Sequence, residues 1–329
     1  MDRPLAAFTR RVTVALGGIV LGTVFAAALA EGAIRWLNPT PRVQIVDQAI
    51  MADASWQEGY PIWRQTGSDE REEPACAPGA TEVLMVGSSI TFGILLEARD
   101  TVAAKLQQRL GADGSAWCVH NVGQPAYTGE QKRIAAEAGI ARWHPRLVIF
   151  EVWNNDGGDY VRVGDLAIST GGLRTDEEGW PASPVPLPTW LHHVAMVHSS
   201  AWRYAALALA SRAGVEKRAS WTERVPARLD RVAAAAGPDG RLLVWLAARL
   251  DVPFATQAAA NRTSGDYGHV IAWGAKRGVP VIDPAAAWTG VEPAPLGVDR
   301  ACHLNGEGAD KVAAVLEPQV RALAAATAH

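Results

Sequence analysis

The chain is 329 residues long, 49% hydrophobic and 20% charged, with a formal net charge of −3. That length admits one large domain or two modest ones; the composition excludes a disordered chain, and the absence of a long Lys/Arg run excludes an electrostatic nucleic-acid binder. Three cysteines, Cys76, Cys118 and Cys302, include no CxxC pair, so the spacing of common metal and redox motifs is absent. Outside the cytosol two of them would pair and leave one over, the pair not being fixed by sequence. Otherwise all three read as small buried apolar residues.

Val12 to Ala30 carries no charge, and nineteen helical residues at ~1.5 Å each span about 28 Å, close to a bilayer's hydrocarbon core. Arg3, Arg10 and Arg11 precede the run and Glu31 follows it. The positive-inside rule therefore keeps residues 1–11 in the cytoplasm and sends the rest across the membrane. Ala28-Leu29-Ala30 also fits a signal-peptidase site. The apolar run exceeds the roughly 7–15 residues of a signal-peptide core, which favours an uncleaved transmembrane anchor over 12–30. Both readings place the main domain outside the cytoplasm, periplasmic or at the cell surface.

Residues 31–80 read as a membrane-proximal stalk and lead-in: Asn38-Pro39-Thr40-Pro41 stops a helix, and Gln65 to Thr81 is rich in charge, Pro and Gly. From residue 81 to 329 short apolar runs alternate with amphipathic ones. Strands are predicted at Glu82–Val86, Trp117–Val122, Arg146–Trp153, Arg241–Ala247 and Val279–Ile282. Helices are predicted at Thr101–Leu110, Gly129–Trp143, near 200–212 and 222–236, around 265–277, and at Gly306–Ala325. Near-continuous apolar strands alternating with helices indicate a mostly parallel sheet covered on both faces, a three-layer α/β/α sandwich. An insertion, 157–238, interrupts it with a Pro-rich loop, Pro181 to Pro188.

In such folds the site lies beyond the carboxyl ends of the strands. There the polar clusters fall: Gly87 to Thr91, Asn121 to Gly123 and Asn154 to Asp156, with Asp299 to Asn305 before the last helix. A serine in a tight strand-to-helix turn exposes its hydroxyl and points its amide at the same space.

Gly87-Ser88-Ser89-Ile90-Thr91-Phe92-Gly93, Asn121-Val122-Gly123, Trp153-Asn154-Asn155-Asp156 and His303-Leu304-Asn305 resemble, in order and spacing, the four blocks of the SGNH (GDSL-type) serine hydrolases, over about residues 80 to 328. The resemblance implies Ser89 as nucleophile, His303 as base, an oxyanion hole of Ser89, Gly123 and Asn155, and no metal or organic cofactor. Three positions depart from the pattern. Ser88 replaces an aspartate that supports the turn, Trp153 replaces a glycine, and Arg300 holds the position three before the histidine where the acid usually stands. Asp299, four before, is the nearest carboxylate; a residue of slippage moves it roughly 3–4 Å along the chain, so reaching His303 requires a bulged loop.

Other features read as structure. His192-His193 and His198 lack neighbouring ligands and read as packing or surface histidines. Asp156-Gly-Gly-Asp159 reads as a turn with too few oxygens for calcium, and Gly171-Gly172 as a hairpin or loop. Trp180 and Trp190 are read first as packing, and otherwise as stacking on a sugar or resting on a membrane. Cys302 points away from the space His303 faces. The implied function is an exported, membrane-tethered esterase acting on an ester-linked acyl group, an O-acylated glycan being suggested by the compartment. The alternative is a retired SGNH-like scaffold, an accessory subunit with a membrane-protein partner, its Gly17, Gly18, Gly22 and Ala26 suiting helix–helix contact.

Overall fold

The structure is a computed structural model. It describes residues 3–37, 44–45, 55–58, 60–64, 70–71, 76–157, 159–163, 166–170, 183, 185–212, 221–237, 241–263 and 266–326. The predicted stop at 38–41, the Gly171-Gly172 pair, Trp180 and much of the Pro-rich loop lie outside these residues.

Five parallel strands form the central sheet: β1 (Thr81–Val86), β2 (Trp117–Asn121), β3 (Leu147–Val152), β4 (Arg241–Leu246) and β5 (Val281–Ile282), in the order β5-β4-β3-β1-β2. The alternation along each strand sends one set of side chains to each face, and both faces are dry. Val83, Met85, Ile149 and Trp245 pack on one side against helices α2 (Val102–Leu110) and α9 (Gly306–Ala325), which bring Leu106, Val312 and Leu316. Leu84, Val86, Phe150 and Val244 pack on the other against α3 (Gly129–Trp143), α6 (Trp221–Ala236) and α8 (Asp266–Arg277), through Ala136, Leu229 and Val270. The α/β/α layering expected from sequence is what the chain adopts.

Capping fixes where the helices begin. Thr128 and Gln131 form a capping box on α3, and the Asn305 side chain accepts from the Gly308 amide at 2.9 Å to start α9. Among the elements outside the predicted set are α4 (Thr189–His198), α7 (Phe254–Thr263), a small antiparallel pair in the lead-in, Ser55–Gln57 with Tyr60–Ile62, and an antiparallel hairpin, Asp159–Val163 with Leu166–Thr170, whose second strand also pairs with Gln44–Ile45. With α5 (Ser200–Arg212), α4 and the hairpin make up most of the described insertion.

The lead-in packs closely on the body. Trp63 is fully buried; its indole nitrogen donates to Pro125 O at 3.0 Å, and Tyr127 donates its hydroxyl to Trp63 O at 2.8 Å. Cys76 and Cys118 form a disulfide, which ties the lead-in to β2, and Cys302 is the free thiol. One N-terminal helix, α1 (Arg3–Leu37), contains a span, Thr13–Leu37, long and apolar enough to cross a membrane and unburied by the protein, a composition that an anchor and a signal sequence share.

Candidate active site

β1 ends at Val86, and the chain turns through Gly87 and Ser88 into a single helical turn, Ser89–Phe92. Ser89, the first helical residue, has no acceptor within the turn for its amide, and it is half-buried at the carboxyl end of the sheet. Gly93 closes the turn in the left-handed region at φ 73°, its amide meeting Ile90 O and Ser89 O. Gly87 is required by space: a Cβ there would lie 2.0 Å from Thr91 Oγ1 and 2.5 Å from Glu151 Oε2.

The histidine arrives from the loop before α9. Its Nε2 lies 2.9 Å from Ser89 Oγ, across 214 residues of sequence. On the other side of the ring, Nδ1 bonds Asp299 Oδ2. The four-residue offset is absorbed by the loop itself. Asp299 Oδ1 accepts from the amides of Ala301, Cys302 and His303 at 2.8, 3.0 and 3.1 Å, curling residues 299–303 around the carboxylate. The Val298 amide donates to His303 O at 2.9 Å and closes the loop's base. Burial disfavours the Asp299 charge, but His303 and the three amides outweigh it and hold the carboxyl down at about 2. An anionic Asp299 facing an Nδ1–H selects the tautomer whose Nε2 accepts a proton from serine.

Under the turn lies a carboxylate that sequence reasoning missed. Glu151, near the end of β3 and fully buried, accepts from Ser88 N (3.2 Å) and Ser88 Oγ (2.5 Å) at one oxygen, and from Thr91 N (2.9 Å) and Thr91 Oγ1 (2.5 Å) at the other. Ser88, the residue before Ser89, is thus held by a glutamate on the neighbouring strand. Lys132 of α3, also fully buried, donates to Glu151 Oε1 at 3.0 Å and lies 2.8 Å from Asp156 Oδ1, an ion pair without hydrogen-bond geometry. One cation therefore serves two dry carboxylates. Burial works against Glu151's charge, but Lys132 and the serine and threonine donors keep its carboxyl below the ordinary range. Burial dominates at Asp156, whose carboxyl is pushed up to about 6.

The other expected residues are less neatly disposed. Gly123 packs on the turn so tightly that a Cβ would lie 2.6 Å from Phe92 N. Its amide, however, donates to Asn121 Oδ1 at 3.0 Å, while Asn121 Nδ2 donates to Thr91 O at 2.8 Å. Asn155 sits half-buried in the 3₁₀ turn Asn154–Gly157; its side-chain oxygen is buried and has no partner among the described residues. Trp153 is half-buried against the apolar layer that contains Cys302 and Leu304. Burial pushes the Cys302 thiol up to about 12, so it is no nucleophile.

Elsewhere, His192 is buried and accepts from the Trp202 indole nitrogen at 3.2 Å, a packing histidine. Asp156 belongs to the buried ion cluster, and Trp190 is exposed. Cys76, Glu82, Cys118 and His120 cluster within reach of a common ion. The two sulfurs are bonded to each other, and the imidazole is bonded by Glu70 at 2.9 Å and Glu82 at 2.7 Å, so the cluster as it stands clamps the lead-in to the sheet edge. A groove lined by Arg71, Thr101, Gln107 and Trp117 contains neither Ser89 nor His303.

No protein-family model matches the chain, and no curated protein does. Among solved structures it is similar to TesA, at 16% identity and a TM-score of 0.45 over 74% of this chain and 99% of that one. It is similar to a lipase/acylhydrolase from Enterococcus faecalis, at 14% identity and 0.46 over 73% and 95%. A member of the lipolytic protein G-D-S-L family from Veillonella parvula gives 12% and 0.42 over 72% and 96%.

Proposed function

We propose that this chain is an exported, membrane-tethered serine acyl hydrolase of the SGNH type, its body at 81–329 and its substrate rim built from the insertion 157–238. The observation that carries the reading is the Ser89 Oγ to His303 Nε2 approach at 2.9 Å, backed by Asp299 on the far nitrogen. Three altered motif positions are the ground for a retired active site, and at the third of them Asp299 bonds His303.

In this reading His303 Nε2 takes the Ser89 proton as Oγ attacks the ester carbonyl, and returns it to the departing alcohol, leaving an acyl-serine. Water then repeats the sequence, giving its proton to His303, and the acid leaves as Ser89 is regenerated. Asp299 stays charged throughout and stabilises the imidazolium. The growing oxyanion is held by the Ser89 amide and the Asn155 side-chain nitrogen. Gly123 joins them when its amide exchanges Asn121 Oδ1 for the substrate oxygen.

The substrate is an ester-linked acyl group, and an extracytoplasmic position favours an O-acylated surface glycan. The test is labelling by a fluorophosphonate probe together with hydrolysis of acetyl and longer p-nitrophenyl esters. Wild-type protein should be labelled and active, and Ser89→Ala should be neither. A wild type inert to both would favour the scaffold.

A further inference from the structure

Helix α4 buries one face and leaves another that no described part of the protein covers. His192 and Met196 point inward, at 2% and 0% exposure, while Trp190, Leu191, Val194 and Val197 are 67%, 38%, 48% and 38% exposed. Positions i, i+1, i+4 and i+7 form a single stripe along a helix. An exterior stripe would ordinarily be polar; this one is apolar until the exposed His198 at its end, and 189–212 contains no Asp or Glu.

What faces the stripe is indicated by α1. Glu31, the first charge after the apolar run, accepts from Ser199 Oγ, Ser200 N and Ala201 N, each at 2.9 Å, at the junction where α4 gives way to α5. Arg35, one turn on, donates to His198 O at 3.3 Å. Four bonds thus pin the end of the membrane-length helix to the end of α4. Arg203 draws the junction tighter, donating to Val197 O at 3.3 Å and to Ser200 Oγ at 2.8 Å. Trp36, 86% exposed on the last turn of α1, is the residue type found at the headgroup level of spanning helices. Ten helical residues reach only about 15 Å, so every residue of α4 lies within about 15 Å of the point where α1 emerges.

We infer that α4 lies flat in the headgroup–acyl boundary of the membrane that α1 spans, with Trp190, Leu191, Val194 and Val197 immersed in lipid. The inference rests on the anchor reading of α1, and it deepens that reading. The chain then holds the membrane at two places, one helix across it and one along it, and two supports at an angle fix the tilt of the body where a single span would leave it free to swing.

The experiment uses the full-length chain in phosphatidylethanolamine–phosphatidylglycerol vesicles, with an environment-sensitive fluorophore on Val194→Cys or, separately, on Leu16→Cys. Cys76 and Cys118 are joined and Cys302 is buried, so the engineered thiol takes the label. The residue-194 label should be quenched by a lipid nitroxide near the headgroups and shielded from aqueous iodide; the residue-16 label should be quenched by a nitroxide deep in the acyl chain. Iodide quenching at 194 with deep-nitroxide quenching at 16 overturns the docking and leaves the anchor standing. A 194 label shielded from both iodide and lipid means that a second copy covers the stripe, which also overturns it. No lipid quenching at either position removes the anchor and the docking together.

Discussion

Ser88 and Glu151 define what the candidate site needs at the level of single side chains. A carboxylate inside an apolar strand is costly unless it is paired and hydrogen-bonded, and Glu151 receives five donor contacts, four of them from the serine turn and one from Lys132. Glu151→Gln should leave Lys132 undercompensated and cost about 3–5 kcal/mol in chemical denaturation. Per folded molecule, the fluorophosphonate labelling rate of Ser89 should also fall, which a purely structural role would not require. Asp299 makes the second prediction. Its carboxyl is held at about 2, below the unfolded value, so its stabilisation is fully present above about pH 4 and fades as pH falls toward 2. Asp299→Asn should flatten that acid limb in melting curves and, by unsettling the tautomer, lower turnover on the order of 10⁴-fold. An unchanged acid limb would dissociate the carboxylate from the loop. Asp299 was legible in the sequence as the nearest acid. Glu151 was not, because its partners come from other segments: the parallel register of β1 and β3 sets it beneath Ser88 and Thr91, and the packing of α3 on the sheet brings Lys132. A lone acid in Leu147–Val152 was the available signal.

The strands were readable as short apolar runs closed by polar clusters, and the helices where the two faces of a segment differ in chemistry. All five sheet strands lie within a residue or two of their expected bounds, and α9 begins and ends as expected, because Asn305 caps it and its apolar residues repeat on one side. α4 and α7 escaped for different reasons. α4 mixes apolar residues and histidines on its buried and exposed faces alike, so it shows no helical contrast, and α7 has four alanines among its ten residues with scattered polar groups. The hairpin Asp159–Val163/Leu166–Thr170 has the alternation of a strand pair but lies in a stretch read as loop. A prediction at this scale concerns the disulfide, whose choice among three cysteines no spacing rule could make. Cys76–Cys118 encloses a separation of 42 residues, and constraining a loop of that size in the unfolded chain is worth about 4 kcal/mol in the entropy model. Reduction, or Cys76→Ser, should lower denaturant stability by about 2–4 kcal/mol. Ser89 labelling of the folded fraction should persist, since His303 and Asp299 belong to a distant loop. Loss of labelling without loss of stability would mean that the clamp acts on the site itself.

For the whole molecule the open question is whether α1 stays attached, and the contacts at its end bear on it. Glu31 belongs to the retained chain whether or not a signal is cut, and what cleavage would change is its surroundings. Glu31 lies immediately after Ala28-Leu29-Ala30 and is held by Ser199, Ser200 and Ala201. Cleavage after Ala30 would make Glu31 the new terminus, with an ammonium next to a carboxylate that caps α5, and would remove the helix that aims it. Retention keeps both. Mass spectrometry of the N-terminal peptide from carbonate-washed membranes should therefore find residues before Ala30 still joined to Glu31, with the protein in the pellet. A chain beginning at Glu31 and released into the wash would show a cleaved signal, and the body would have to find its membrane, if it uses one, through α4 alone: four apolar side chains against a monolayer, a reversible attachment of the kind that salt, dilution or curvature can undo.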